Sequence, residues 1–176
     1  MKKELGVREK YLLHPGFMCC LKRPGTLHAV VGSCVVVCLW DMRLRYGGMN
    51  HFLFPITRDP AQATPRYGNV ATLGLIRMME EAGCRREDLV AQIIGGASRR
   101  NCPEDTLGAR NAAAAREILI RKNIFIGSED TGGTMGRKIA FDTATGHVMV
   151  LKVFQIRETD WIREDNRQNS GQRSEK

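Results

Sequence analysis

The stretch from Val30 to Pro55 constrains this 176-residue chain more than any other. It reads VVGSCVVVCLW, then DMRLRY, then GGMNHFLFP, so two apolar runs flank a short polar connection. Gly32 and Asp41 bound the first run, and Gly47-Gly48 and Pro55 the second. Each has the length of one β-strand and neither suits a helix interior, so the pattern predicts an antiparallel hairpin. Each run carries one residue capable of chemistry, Cys34 and His51. A turn centred between Met42 and Arg43 gives paired residues the index sum 85, which places Cys34 directly opposite His51. Their Cβ atoms would then lie roughly 4.5 to 5.5 Å apart on one face. A one-residue bulge at Gly47-Gly48 would send one of the two side chains to the other face.

Around the hairpin, the chain reads as one domain. Turn signals at His14-Pro15-Gly16 and Arg23-Pro24-Gly25 divide residues 1–29 into short strands. Thr57 to Tyr67 is polar, carries Pro60 and Pro65, and reads as a surface excursion bordering His51. From Gly68 to Ala82, Val70, Leu73, Ile76, Met79 and Ala82 recur at every third position before Gly83, predicting an amphipathic helix. Leu89 to Ile94 is a strand closed by Gly95-Gly96-Ala97-Ser98, Asn101 to Thr106 a loop, and Leu107 to Lys122 an Ala-rich helix ended by Asn123. A strand at Ile124–Gly127, a loop over 128–134 and a hairpin from Arg137 to Phe154 follow, with His147 a turn-flanking residue. The expected fold is α+β: antiparallel-rich, sandwich-like sheets with two main helices on one side, spanning 1–156. The polar segment 157–176 reads as a disordered tail.

Composition excludes several classes. The opening MKKELGVREK lacks an apolar leader core, and no run approaches the roughly 18 apolar residues of a membrane span, so a cytoplasmic chain with no membrane insertion is expected. The six cysteines follow no regular spacing and are expected as reduced thiols. The formal charge of +8 is dispersed: six basic residues against two acids over 1–23, six against three over 99–123, and five of each from Arg157 onward. With no basic stripe and 6% aromatic residues, this suits an acidic protein partner and not nucleic acid.

Three readings of the hairpin compete. Cys34, Cys38 and His51 are buried structural residues, or they bind a metal, or Cys34 and His51 form a nucleophile and base. Residues four apart in a strand are separated by roughly 13 Å, too far for two ligands of one zinc, which removes Cys38 from the site and weighs against the metal reading. For the nucleophile, an adjacent imidazolium would lower the thiol from about 8.5 toward neutrality. The amides of the Gly32-Ser33 corner would supply an oxyanion hole.

Several motifs in sequence carry a family resemblance. GSCVVVCL at 32–39, GGMNHFLFP at 47–55, RYGN before the first helix, IIGGAS at 93–98, LGARN at 107–111 and EDTGG at 129–133 are similar to the signature of the CheD family, chemoreceptor glutamine deamidases of bacterial chemotaxis. The resemblance implies a cytoplasmic cysteine hydrolase that converts receptor glutamines to glutamate, in some members also removes methyl esters, and needs no cofactor and no metal. It implies Cys34 as nucleophile and His51 as base. It also implies binding to the receptor's cytoplasmic region and, in many species, to a CheC-type phosphatase. The chain departs from the pattern where the family has a threonine six residues before the cysteine, because His28 stands there. His28, Thr26 or Thr131 is then the third member. The alternative from another class is a non-catalytic module that regulates a chemotaxis phosphatase or receptor.

Overall fold

A computed structural model describes residues 9–99, 101–102 and 106–161. Among these residues nine strands form two sheets: β1 (Glu9–Leu12), β3 (Gly25–Val31), β8 (Gly136–Asp142) and β9 (Val148–Val153) in the order β1-β3-β8-β9, and β2 (Phe17–Leu21), β5 (Gly47–Phe52), β4 (Val35–Asp41), β6 (Leu89–Gly95) and β7 (Phe125–Thr131) in the order β2-β5-β4-β6-β7. Most neighbours are antiparallel, but β1 with β3 and β6 with β7 are parallel. Two helices, α1 (Gly68–Glu81) and α2 (Leu107–Arg121), cover one face of the five-stranded sheet. This is the expected α+β architecture. Among the described residues no helix is long and apolar enough to cross a membrane.

Strand alternation explains the layering. In β4, Val35, Val37 and Leu39 enter one core with Leu75, Ile76, Met79, Ala115 and Leu119 of the helices. Val36 and Cys38 point the other way, into a second core with Leu27, Ala29 and Val31 of β3 and Ile139 and Phe141 of β8. A strand buried on both faces needs a continuous apolar run, which is why VVVCL carries no polar residue. Arg137 of β8 ties the sheets together, donating to Asp130 of β7 at 2.9 Å and to the carbonyls of Gly132 at 2.9 Å and Met135 at 3.0 Å.

The hairpin forms, with a different register. Val36, not Cys34, is opposite His51, and Val35 is opposite Phe52, an index sum of 87. The cause is Asp41, whose Oδ1 accepts from the amides of Arg43 at 2.8 Å and Leu44 at 2.6 Å. Its own N–H donates to Tyr46 O at 2.9 Å, and Arg45 adopts φ +58°. The loop therefore comprises the four residues from Met42 to Arg45. A shift of two in the index sum preserves parity, so Cys34 stays on the face of His51 although the direct pairing is lost.

Other differences have equally local causes. In α1 the buried residues are Gly68, Ala71, Thr72, Leu75, Ile76 and Met79, while Leu73 is exposed. A three-residue period drifts around a helix of 3.6 residues per turn, so the buried stripe alternates three and four. The strand expected at Ile124–Gly127 runs instead from Phe125 to Thr131, because parallel pairing with β6 carries Ser128 to Thr131 alongside Gln92 to Gly95 after a bulge at Ala91/Gln92. Within 157–176, Glu158–Trp161 forms a 3-10 turn and Asp160 accepts from Lys138 Nζ at 2.6 Å. Residues 1–8 and 162–176, which carry parts of the domain and tail expectations, lie outside the described residues.

Candidate active site

Cys34 lies one residue before β4, half-buried, at the end of the Gly32-Ser33 corner, and packs on the core between the sheets. His51, fully buried, lies on β5 at the parity of Met49, which faces the same core. Because Val36 is opposite His51, Cys34 is its diagonal neighbour. Diagonal residues on an antiparallel face lie about 7 to 8 Å apart at the backbone, within reach of an imidazole.

The ring of His51 is oriented by main chain. Its Nδ1 lies 3.0 Å from the carbonyl of Leu13. A carbonyl only accepts, so Nδ1 carries the proton and Nε2 keeps the basic lone pair. Leu13 is itself fixed, its N–H donating to His28 O at 2.7 Å, and the His51 carbonyl accepts from Gly16 N–H at 2.7 Å. Leu13 thus holds the four-stranded sheet with its amide and the histidine of the other sheet with its carbonyl.

Electrostatics set the resting protonation. Burial lowers His51 to about 4, partly offset by the Leu13 hydrogen bond and reinforced by His14. Burial pushes the Cys34 thiol up, partly offset by its own backbone amide. Both groups are therefore neutral near pH 7, the reverse of the imidazolium-lowered thiol expected from adjacency alone.

The corner before Cys34 is clamped from two sides. Gly96 N–H donates to Cys34 O at 2.8 Å and Ala97 N–H to Gly32 O at 2.9 Å. Gly95 has φ +122°, and a Cβ there would stand 2.3 Å from Cys34 O. From the helix side, the Asn111 amide of α2 donates to Ser33 O at 2.9 Å and Leu53 O at 2.8 Å. Gly95-Gly96 and Asn111 stand in the IIGGAS and LGARN motifs without a role being legible there, and Leu13 stands in none of the motifs. Asn111 had a signal, as the lone carboxamide in the buried stripe of an Ala-rich helix, three residues after Gly108. Leu13 had none, since it acts through its carbonyl.

Of the proposed third members, Thr26 and His28 alternate with Leu27 and Ala29, which face the inter-sheet core. His28 lines a shallow groove on the outer face of the four-stranded sheet with Lys138, Met149 and Leu151. What position 28 directs toward the site is its carbonyl, through Leu13. Thr131 ends β7, paired with Gly95. Cys38 is buried opposite Met49, with its thiol pushed up by burial. Among the described residues no group of three or more His, Cys, Asp or Glu could hold a metal ion.

A thiol and an imidazole on one face of the inter-sheet core, beside a clamped corner, are the side chains a thiol hydrolase needs, and the comparisons narrow that class. Residues 55–152 match the family model described as CheD chemotactic sensory transduction. A protein of Sulfurimonas denitrificans, called a probable chemoreceptor glutamine deamidase CheD, is 41% identical over 148 residues, covering 82% of this chain and 95% of its own. Proteins of the same name from Trichlorobacter lovleyi (40%, covering 80% and 89%) and Rhodospirillum rubrum (41%, covering 82% of both chains) are similarly close. The chain belongs to the CheD family. The crystal structure of Bacillus licheniformis hypothetical protein YfiH matches with a TM-score of 0.42 and 16% identity over 66% of this chain and 49% of that one.

Proposed function

We propose that this chain deamidates glutamine side chains of chemoreceptors, with Cys34 as nucleophile and His51 as base. The observation that carries the reading is the His51 Nδ1 to Leu13 carbonyl hydrogen bond, which leaves Nε2 as the basic nitrogen on the same face as the Cys34 thiol. Cys34 Sγ attacks the side-chain carbonyl carbon while His51 Nε2 takes the thiol proton, so thiolate and imidazolium form only as the bond forms. The oxyanion is met by backbone N–H groups of the Gly32-Ser33-Cys34 corner. His51 returns the proton to the amide nitrogen, ammonia leaves, and a thioester remains. Water then attacks the thioester with His51 as base, releasing glutamate and the thiol. A receptor glutamate methyl ester would follow the same path with methanol as leaving group. No step needs a cofactor.

The main-chain carbonyl of Leu13 takes the orienting role here in place of a third side chain, and position 28 supports it by a carbonyl that any residue supplies. Names of the relatives support the chemoreceptor as substrate, and the reading places the chain in the cytoplasm beside the receptor's cytoplasmic region. A CheC-type phosphatase is a second partner under the same reading. The test is incubation with receptor fragments, following ammonia release and Gln-to-Glu conversion by mass spectrometry of receptor peptides. Cys34→Ala is expected to abolish conversion with the fold intact, and unchanged conversion would sink the mechanism.

A further inference from the structure

The β4–β5 ladder stops at Val35↔Phe52. One step further the next pair would be Cys34 and Leu53, but Leu53 and Phe54 both donate their amides to Arg66 O, at 2.9 and 3.0 Å. The two strands part at this point, next to the nucleophile, and the carbonyls of Ser33 and Leu53 lose their ladder partners. Asn111 fills the gap. Its fully buried side chain uses one NH2 group to donate to both carbonyls, at 2.9 and 2.8 Å.

The helix is brought there by a close backbone contact. A Cβ on Gly108 would stand 2.3 Å from Gly96 O, so only glycine permits the first turn of α2 to rest on the Gly96-Ala97 segment. Asn111 follows three residues later on the same face. The two carbonyls dictate its orientation, because a flipped amide would oppose oxygen to oxygen.

In a trans peptide the C=O and N–H point in opposite directions, and the chain has no cis bond among its described residues. Gripping Ser33 C=O from the helix side therefore turns Cys34 N–H toward the opposite side, where the Cys34 thiol lies. We propose that Asn111 is a positioning residue for deamidation: it fixes the Ser33-Cys34 peptide plane so that Cys34 N–H faces the reacting carbonyl, and fixes the Cys34 corner against the strand of His51. The inference rests on the deamidase reading and adds to it a side chain that touches neither substrate nor thiol.

Asn111→Ala and the near-isosteric Asn111→Asp, which places a carboxylate against the two carbonyls, test it. Ile118→Val, in the same buried stripe of α2, serves as the control for lost packing. Loss of one oxyanion donor costs about 10²- to 10³-fold in kcat. The expected result for both Asn111 variants is a fall in kcat of that order with KM within about threefold. The pH profile of Cys34 alkylation by iodoacetamide should move upward as the amide turns away from sulfur. Ile118→Val should keep the wild-type kcat and alkylation profile even if its melting temperature falls. Should Asn111→Ala fail to fold, Asn111→Asp carries the same comparison. Variants that fold with kcat within threefold of wild type, or with an unchanged alkylation profile, overturn the proposal. A wild type that releases no ammonia from receptor fragments counts against deamidation, whereas the alkylation profile still decides whether Asn111 sets the peptide plane.

Discussion

Acidification from pH 7.5 to 5.0 should cost this fold stability through one identifiable group. His51 titrates at about 4 in the folded chain because it is buried, against about 6.5 in an unfolded chain. At pH 7.5 neither state binds the proton and the contribution is zero. As pH falls below 6.5 the unfolded ensemble takes up a proton that the folded state refuses, so stability drops until the folded value is passed near pH 4. At pH 5.0 the linkage integral for these two values is about 2 kcal/mol, and its limit below pH 4 is about 3 kcal/mol. That limit is a substantial part of the 5 to 15 kcal/mol typical of a domain. The carboxylates of Asp88, Asp130 and Asp160 are held below their usual range by hydrogen bonds, so their loss belongs to a more acidic window. Urea unfolding of wild type and His51→Gln at pH 7.5 and 5.0 isolates the term, since glutamine cannot take up the proton. Wild type should lose about 2 kcal/mol more than the variant between the two pH values. Equal losses would refute a buried, neutral His51, and with it the assignment of Nε2 as a base free of its proton at neutral pH.

Cys34 alkylation by iodoacetamide should keep rising with pH beyond the ordinary cysteine value of about 8.5, because burial raises the thiol; a rate already level below pH 7 would indicate a standing thiolate. Gly95→Ala forces a side chain into φ +122° and against Cys34 O, at a strain of about 1 to 3 kcal/mol; the variant should melt several degrees lower and lose deamidation, and wild-type activity would contradict the clamp. Arg137→Met removes the guanidinium that joins Asp130 to the Gly132 and Met135 carbonyls. Chemical denaturation should register a loss of about 2 to 3 kcal/mol.

How much of this was legible in the sequence depended on whether the information was periodic or local to one carbonyl. The bounded apolar runs around VVVCLW and MNHFLF predicted two strands, and parity alone put Cys34 and His51 on one face. Register was out of reach because Asp41 chooses between a tight turn and a four-residue loop by side-chain hydrogen bonds that leave no periodic trace. The same holds for β7, whose later half is polar by composition and extended only because β6 lies beside it. Candidate side chains stood out where the residue type is unusual, as with cysteine and histidine. The contacts at Leu13 and position 28 are made by main-chain carbonyls, which residue type does not reveal, whereas the side chains of Thr26 and His28 alternate with the core-facing Leu27 and Ala29.

Leu13 connects the last residue of an edge strand in one sheet to the edge strand β2 of the other, with its amide on His28 O and its carbonyl on the His51 ring. The alignment of the two layers therefore acts as a tautomer selector. A slip of about an ångström between them would stretch the 3.0 Å bond past hydrogen-bonding range. The imidazole proton would then be free to migrate from Nδ1 to Nε2. Sandwich packing, ordinarily counted only as stability, here specifies which nitrogen of the His51 ring carries the proton.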